Sequence, residues 1–564
     1  MPVDHETEAS GRRSTRGSAL LVLLSYVAVL GACTLPWLAQ AADRIVQFAP
    51  GSRPDTRLHI WILWWVSHAL TTEPSALFDA PINYPTPLQL TGSEHFLTDQ
   101  LVFTPVFVLT GNPLLALNVV LLLSYPLAAF AMNRFLMALE MGAAAAWAGG
   151  LLFALGPLTT PPSTHLLHNL AFFLPLAALC LTRLREQPTA TRGFVLAAVF
   201  LLGFLSAYYM AAMLLVGALV WGTSEAMRPL PDRARFVRLA FVAALVGVAI
   251  LGVLSLPYLD RGEVWDFESR REVANVRLQR IAAGALLLGP QKLLGIWLAV
   301  PAALGLLALV EPKRRRLAGA GLALVAAGMF FTAGGLDLLE RLSLPGALGE
   351  LAALPGRFFR LTMRFMVLAG FGAAILATAF LDLAMRRLPR PFGFAIVAAI
   401  VLLLLADRGV ALFSTAVEPI DALSRDAETY RVVGRITAKE GPGPLLELPT
   451  RDRGRNLEAE AMVGSIWHRQ PLITGHTGYL PPRRIEVNEK IRALPALAAL
   501  DGLQETTGLR WILIRPPVDE IARKSRDDLV RTVVGSPSGA HVWEIEDWTL
   551  VQLGRGRTAP ERAW

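Results

Sequence analysis

Charge is scarce in this 564-residue chain: Asp, Glu, Lys and Arg make up 17% of it, against about 25% in soluble domains. Hydrophobic residues reach 54% without counting the 46 glycines, and mean hydropathy is positive at +0.46. Such a composition excludes a disordered chain and an ordinary soluble enzyme. Cysteine is almost lacking too. Cys33 and Cys180 stand far apart in apolar runs, with no CxxC or Cys/His ligand spacing, which excludes a disulfide framework and a structural zinc site. No Walker sequence occurs, which argues against ATP-driven transport. The net charge of +8 does not point to nucleic acid either. Residues 408–564 hold 22 Lys/Arg against 21 Asp/Glu, so seven of the eight surplus charges fall in the apolar part. There they sit in short loops between hydrophobic runs, the positive-inside pattern of a membrane protein.

What is present is a series of bilayer-length runs. Met1–Gly17 is polar and ends with Arg12, Arg13 and Arg16. Ser18–Gln40 follows, long enough to cross a core that takes roughly 20 residues. It is longer than the usual signal h-region, so an uncleaved first helix is expected, with signal cleavage the alternative. Further runs occupy Pro113–Met137, Met141–Leu158, His168–Leu184, Arg238–Leu256, Leu293–Val310, Leu317–Gly334, Phe365–Met385 and Phe392–Ala406. Gly193–Gly222 is too long for one untilted span. A break near Ser206-Ala207-Tyr208-Tyr209 makes it two short ones. That choice puts Arg183, Arg185 and Arg192, Arg228–Arg238, Lys313–Arg316 and Arg386-Arg387 on one side. The expectation is a polytopic α-helical membrane protein of about eleven spans, N-terminus cytoplasmic. Residues 1–17 form the cytoplasmic N-terminus and 18–407 the transmembrane domain, with a large first outer loop at 41–112. Residues 408–564 form an extracytoplasmic α/β domain. In that tail, Pro444–Leu448, Leu509–Arg515 and Ala540–Ile545 read as strands, and Gly475–Tyr479 (GHTGY) as a turn.

The outer segments carry the candidate chemistry. Arg57–Leu70 places Trp61, Trp64 and Trp65 at i, i+3 and i+4, the stripe of an amphipathic helix lying among headgroups. Leu97–Leu109 is expected to lie the same way. Asp55 precedes that helix, either as a general base or metal ligand or as a helix cap. Glu94-His95 offers an acid–base or metal-binding pair, against a solvated loop; Asp99 follows closely. His165 and His168 share a helix face at the outer mouth of a span, for function or for interfacial hydrogen bonding. Arg357, Arg360 and Arg364, at spacings of 3 and 4, form a face suited to phosphate or to salt bridges with Glu350 or the tail. The loop Tyr258–Lys292 adds Arg261, Glu263, Asp266 and Arg270, too mixed in sign to assign.

Three stretches together resemble a known group: PDTRLHIWILWW with NYPTPLQLTGSEH; GRFFRLTMRF; and LLELP, WHRQPLITGHTGYLPP and LRWILIR in the tail. They are similar to the GT-C superfamily of membrane glycosyltransferases, in particular to bacterial GT-C-like and YfhO-like proteins. The resemblance implies transfer of a hexosyl or pentosyl group from a polyprenyl-phosphate-linked donor to an envelope glycan, lipid or protein acceptor. The place implied is the outer face of the bacterial inner membrane. Asp55 would be the first-loop catalytic acid and Glu94 the second. His95, His165, His168, Arg357, Arg360 and Arg364 would meet substrate. A divalent metal, if one takes part, would find ligands among Asp55, Glu94 and His165. The chain departs from the paired acidic signature common in the superfamily, since Thr56 follows Asp55. Two other readings fit the same residues: a non-enzymatic protein that binds or translocates polyprenyl lipid, and an envelope-assembly scaffold.

Overall fold

The computed structural model describes residues 5–46, 53–156, 170–230, 232–264, 295–332, 362–452, 455–517, 520–535 and 540–554. The apolar runs become helices: α1 (His5–Cys33), α2 (Arg53–Thr72), α3 (Gln100–Thr110), α4 (Pro113–Ala138), α5 (Ala143–Leu155) and α6 (Phe173–Glu186). Asn112 caps α4, its Oδ1 accepting from the Leu114 and Leu115 amides, with Pro113 at the first helical position. The long run 193–222 divides. α7 (Ala190–Phe204) and α8 (Tyr208–Ala226) are separated where Ser206 turns its hydroxyl onto Gly203 and Ala207 is extended. Then come α9 (Arg233–Val264), α10 (Ile296–Gly305), α11 (Arg315–Thr332), α12 (Met366–Arg387) and α13 (Arg390–Leu404).

Among the described residues, five helical stretches are long and apolar enough to cross a membrane: Pro113–Ala138, Tyr208–Ala226, Arg233–Arg261, Met366–Arg387 and Arg390–Phe413. α12 is the hub, packed by α5, α10 and α11 and buried along most of its length. Gly372 meets the backbone of Gly321 on α11, an approach that a side chain at either position would block. α9 is the opposite case, with Phe241, Leu245 and Val253 exposed. An apolar surface of that kind on a long helix faces lipid. The chain is a multi-pass membrane protein.

The tail continues with α14 (Ala427–Glu440), α15 (Glu458–His468), α16 (Arg483–Arg492), α17 (Leu497–Thr507) and α18 (Glu520–Val534). Strands β1 (Arg44–Val46) and β2 (Val417–Pro419) pair antiparallel and tie the tail to the segment between α1 and α2. The main sheet has β3 (Leu445–Leu448) parallel to β4 (Trp511–Ile514). β6 (Trp548–Leu553) runs antiparallel to β4, and β5 (Ala540–Ile545) lies on its far edge. Strand alternation gives the sheet two faces. Leu445, Trp511, Leu513 and Leu550 join the large core with α14 and α15. Leu446, Ile512, Ile514, Val551 and Leu553 pack with α16, α17 and α18.

One sequence-based expectation is overturned. The α2 tryptophans do not lie among headgroups: Trp61, Trp64 and Trp65 are buried, and α2 packs on α15. Trp61 Nε1 donates to Ser465 Oγ at 3.0 Å, and Trp65 Nε1 to the Leu77 carbonyl at 2.9 Å. An amphipathic stripe specifies an apolar neighbour without saying whether it is lipid or protein, and here the tail supplies it.

Candidate active site

The site grows from the contact between the loop after α2 and the tail segment 472–479. The amides of Asn83 and Tyr84 donate to the carbonyls of Thr474 and Leu472, the Leu472 amide to Pro81, and the Tyr479 amide to Gly92. Gly92 is required by this approach: a Cβ there would stand 2.9 Å from the Tyr479 carbonyl oxygen. Asn83, Leu88 and Phe96 all have positive φ, a concentration of backbone strain of the sort found at functional sites.

Asp55 stands in the first turn of α2, where the helix amides favour a carboxylate. It keeps 41% of its side-chain surface, so it can meet a substrate. Its Oδ1 lies 3.5 Å from His476 Nε2. His476 is held in turn by Asn456, whose Nδ2 is 3.2 Å from its Nδ1. Arg57, one α-helical half-turn on, pairs with Glu460 and Glu418 of the tail.

Glu94 lies farther along the same loop. Its Oε2 accepts from the Tyr208 amide at 2.8 Å, so it caps α8 from a distant part of the chain. Burial pushes its carboxyl up to about 7, and the Tyr208 amide, the Arg364 charge and the Tyr209 amide hold it from going higher. A group poised there can take or give a proton at neutral pH. Arg364, at the start of α12, sits with its guanidinium 4.6 Å from the Tyr209 ring centre. Arg261 donates to the Thr91 carbonyl and stacks over Tyr479, 4.9 Å from its ring centre. The Tyr258 hydroxyl donates to the Ser93 carbonyl at 2.9 Å.

The tail loop thus meets Asp55 at one end and, at the other, the chain just ahead of Glu94. His476 is beside the first and Tyr479 against Gly92, two residues from the second. Three residues of chain span at most about 11 Å. His95 behaves differently: it is fully buried, edge-on to Tyr208 with ring centres 5.4 Å apart. Burial lowers its pKa to about 4, which keeps it neutral. His165, His168, Arg357 and Arg360 lie outside the described residues, as does the loop beyond Val264 with Asp266 and Arg270. Among the described residues no group of three or more His, Cys, Asp or Glu gathers as metal ligands. Sequence reasoning missed His476, Asn456, Tyr479 and the placement of Arg261. Each takes its meaning from a partner remote in the chain.

The opposite ends of α8 and α12 carry a second polar region. A cavity of about 320 Å³ is lined by Arg185, Arg228, Lys313, Arg314, Arg316 and Arg386, among others. Glu225 pairs with Arg185 and Arg228, and Asp382 with Arg314 and Arg386. The 19 residues of α8 separate it from Glu94 by about 28 Å, close to the thickness of a bilayer core.

No sequence-family model and no curated protein matches the chain, but solved structures do. The arabinofuranosyltransferase AftD from Mycobacteria superposes with a TM-score of 0.57 at 14% identity, covering 96% of this chain and 40% of that one. A mutant form of the same protein gives 0.55 at 15% identity, covering 96% and 42%. ArnT from Cupriavidus metallidurans gives 0.49 at 15% identity, covering 97% and 100%. The chain thus spans about two fifths of the length of AftD. The likeness is one of fold: the helical architecture of this chain is similar to that of AftD over 96% of its length.

Proposed function

We propose that the protein is an integral-membrane glycosyltransferase. It moves a sugar from a polyprenyl-phosphate-linked donor to an envelope glycan, lipid or protein acceptor on the outer face of the inner membrane. One observation carries the reading: the tail loop 476–479 meets Asp55 through His476 and Gly92, two residues before Glu94, through Tyr479, while Arg261 stacks over Tyr479 and Arg364 acts on Glu94. A lipid-linked donor is anchored in the bilayer, so its phosphate must be met at the interface. Helix ends bearing guanidinium groups suit that task.

In this reading Asp55 accepts the proton of an acceptor hydroxyl as its oxygen attacks the anomeric carbon. The bond from that carbon to the phosphate oxygen breaks, and polyprenyl phosphate leaves with the electron pair. Arg364 and Arg261 stabilise the charge that develops on it. Glu94, with its carboxyl near 7, exchanges a proton with the departing phosphate. The basic cavity at the far end then faces the cytoplasm, by the positive-inside rule. The N-terminus shares that side, with the tail outside.

The test is mass spectrometry of envelope glycans from a deletion strain complemented with wild type or with Asp55→Asn, both at equal membrane levels. Wild type is expected to restore a missing sugar, whose mass identifies it, and the variant is not. Full restoration by the variant overturns the catalytic reading and leaves lipid binding or translocation. An unchanged glycan profile in the deletion strain itself would favour a scaffold.

A further inference from the structure

The contact between Asp55 and His476 has a direction that the surrounding hydrogen bonds fix. Asn456 accepts the Glu458 amide through Oδ1 at 2.9 Å, which leaves its Nδ2 facing His476 Nδ1 at 3.2 Å. An amide nitrogen only donates, so Nδ1 must be the acceptor. The neutral ring then carries its proton on Nε2, the atom 3.5 Å from Asp55 Oδ1. The His476 backbone is held as well: its amide points at the buried Met462 sulfur at 3.1 Å. On either side, Gly475 and Gly478 pack so closely on the first loop that a Cβ would come within 3.0 Å of Ile82 and of the Gly92 carbonyl.

We propose that His476 is a positioning residue for Asp55, delivered by the C-terminal segment, with Asn456 setting its tautomer so that Nε2–H faces the carboxylate. The inference rests on the reading of Asp55 as the base. At 3.5 Å the pair is wider than a good hydrogen bond; such contacts in substrate-free sites tighten when the reacting groups arrive. With Nε2–H facing Oδ1, the carboxylate is held in one orientation at the start of α2. The arrangement has the logic of a base oriented by a third group, and it makes the site composite. The first loop supplies the base, and the tail, more than four hundred residues later, orients it.

Two measurements test this on the full-length protein. The first needs no substrate. In the ¹⁵N-histidine-labelled protein in detergent, the His476 signals among nine histidines are those lost in His476→Gln. The wild type is expected to carry the ring proton on Nε2. Asp55→Asn should shift that resonance, and Asn456→Asp should draw the proton to Nδ1. A proton on Nδ1 in the wild type, or a resonance unmoved by Asp55→Asn, overturns the proposal.

The second measurement uses membranes of the deletion strain carrying each variant at equal levels. The lipid-linked sugar pool extracted from that strain is added stepwise, and sugar incorporation is followed. His476→Ala should lower the maximal rate about 10- to 100-fold without changing the amount of lipid that gives half of it. His476→Gln, which keeps a donor, should recover part of the rate. An inactive Asp55→Asn beside a fully active His476→Ala refutes the positioning role and leaves the base in place. An active Asp55→Asn refutes the base itself. A His476→Ala protein that changes only the half-saturating amount of lipid assigns His476 to substrate binding and overturns positioning. Asn456→Ala, which leaves the ring in place, keeps the test decisive if His476→Ala fails to accumulate.

Discussion

Glu94 makes the protein's stability depend on pH in a way that Glu94→Gln should abolish. The carboxyl titrates near 7 in the folded protein, against an ordinary value of 4.5, chiefly because it is buried. The groups facing it are the Arg364 guanidinium, the Tyr208 and Tyr258 hydroxyls and the Tyr208 and Tyr209 amides, with the neutral His95 next in sequence. A raised acid favours the folded state when protonated. Its contribution is therefore fully present below about pH 4.5 and is lost as pH rises through 7. The displacement corresponds to about 3 kcal/mol between the two limits. Gln keeps the acceptor for the Tyr208 amide and has no charge to desolvate. Thermal unfolding of both proteins in the same detergent, from pH 4.5 to 8.5, should show the variant gaining on wild type as pH rises. The gain should level off above about pH 8. A difference that is flat across this range, or a variant that loses ground at high pH, would refute the assignment of a buried, displaced carboxyl.

Three further changes probe the frame around the site. Arg364→Ala removes a positive charge that holds Glu94 down, so the inflection attributed to Glu94 should move above 7 in the pH profile of sugar incorporation. Asp382→Ala takes the carboxylate away from the mostly buried Arg314 and from Arg386, and frees the Gly142 amide. Breaking a buried pair in this way costs about 3–5 kcal/mol, to be read as loss of thermal stability in detergent, with Asp382→Asn milder. Arg57→Ala leaves Glu460 buried without its main partner, a loss of about the same size. Faster tryptic cleavage of the tail in intact membranes is the expected sign.

The helices were legible because bilayer-length apolar runs and their caps are local signals. The division of residues 193–222 followed from charge: a break at Ser206-Ala207 was needed to bring the basic loops to one side. In the structure, Arg185, Arg228, Lys313, Arg314, Arg316 and Arg386 do line one cavity. The three β-like runs of the tail are strands, whereas β6 (WTLVQL), which follows β5 after only Glu546 and Asp547, went unseen. The tryptophan stripe of α2 was seen and its neighbour misjudged. Its side chains ask for an apolar surface, and nothing within twenty residues says that α15 provides it.

The site itself was half legible, and the missing half is all on one side. Asp55, Glu94 and Arg364 announce themselves as polar groups next to apolar runs, which is costly and therefore visible. His476 and Asn456 sit in an ordinary polar tail, where a histidine between two glycines reads as a turn. Their role appears only once β1 and β2 pair, Arg57 reaches Glu460 and Glu418, Trp61 reaches Ser465, and segment 472–479 is stitched to residues 81–92. These ties are spread over the whole of α2 and the loop after it. The tail thus cannot shift as a body without dragging Asp55, and a substitution in the tail is felt there. In the proposed reading, loss of function and loss of tail docking therefore fall at neighbouring residues. That is why Arg57→Ala, which breaks ion pairs that hold the tail, and His476→Gln, which leaves those pairs in place, need to be compared in the same membranes.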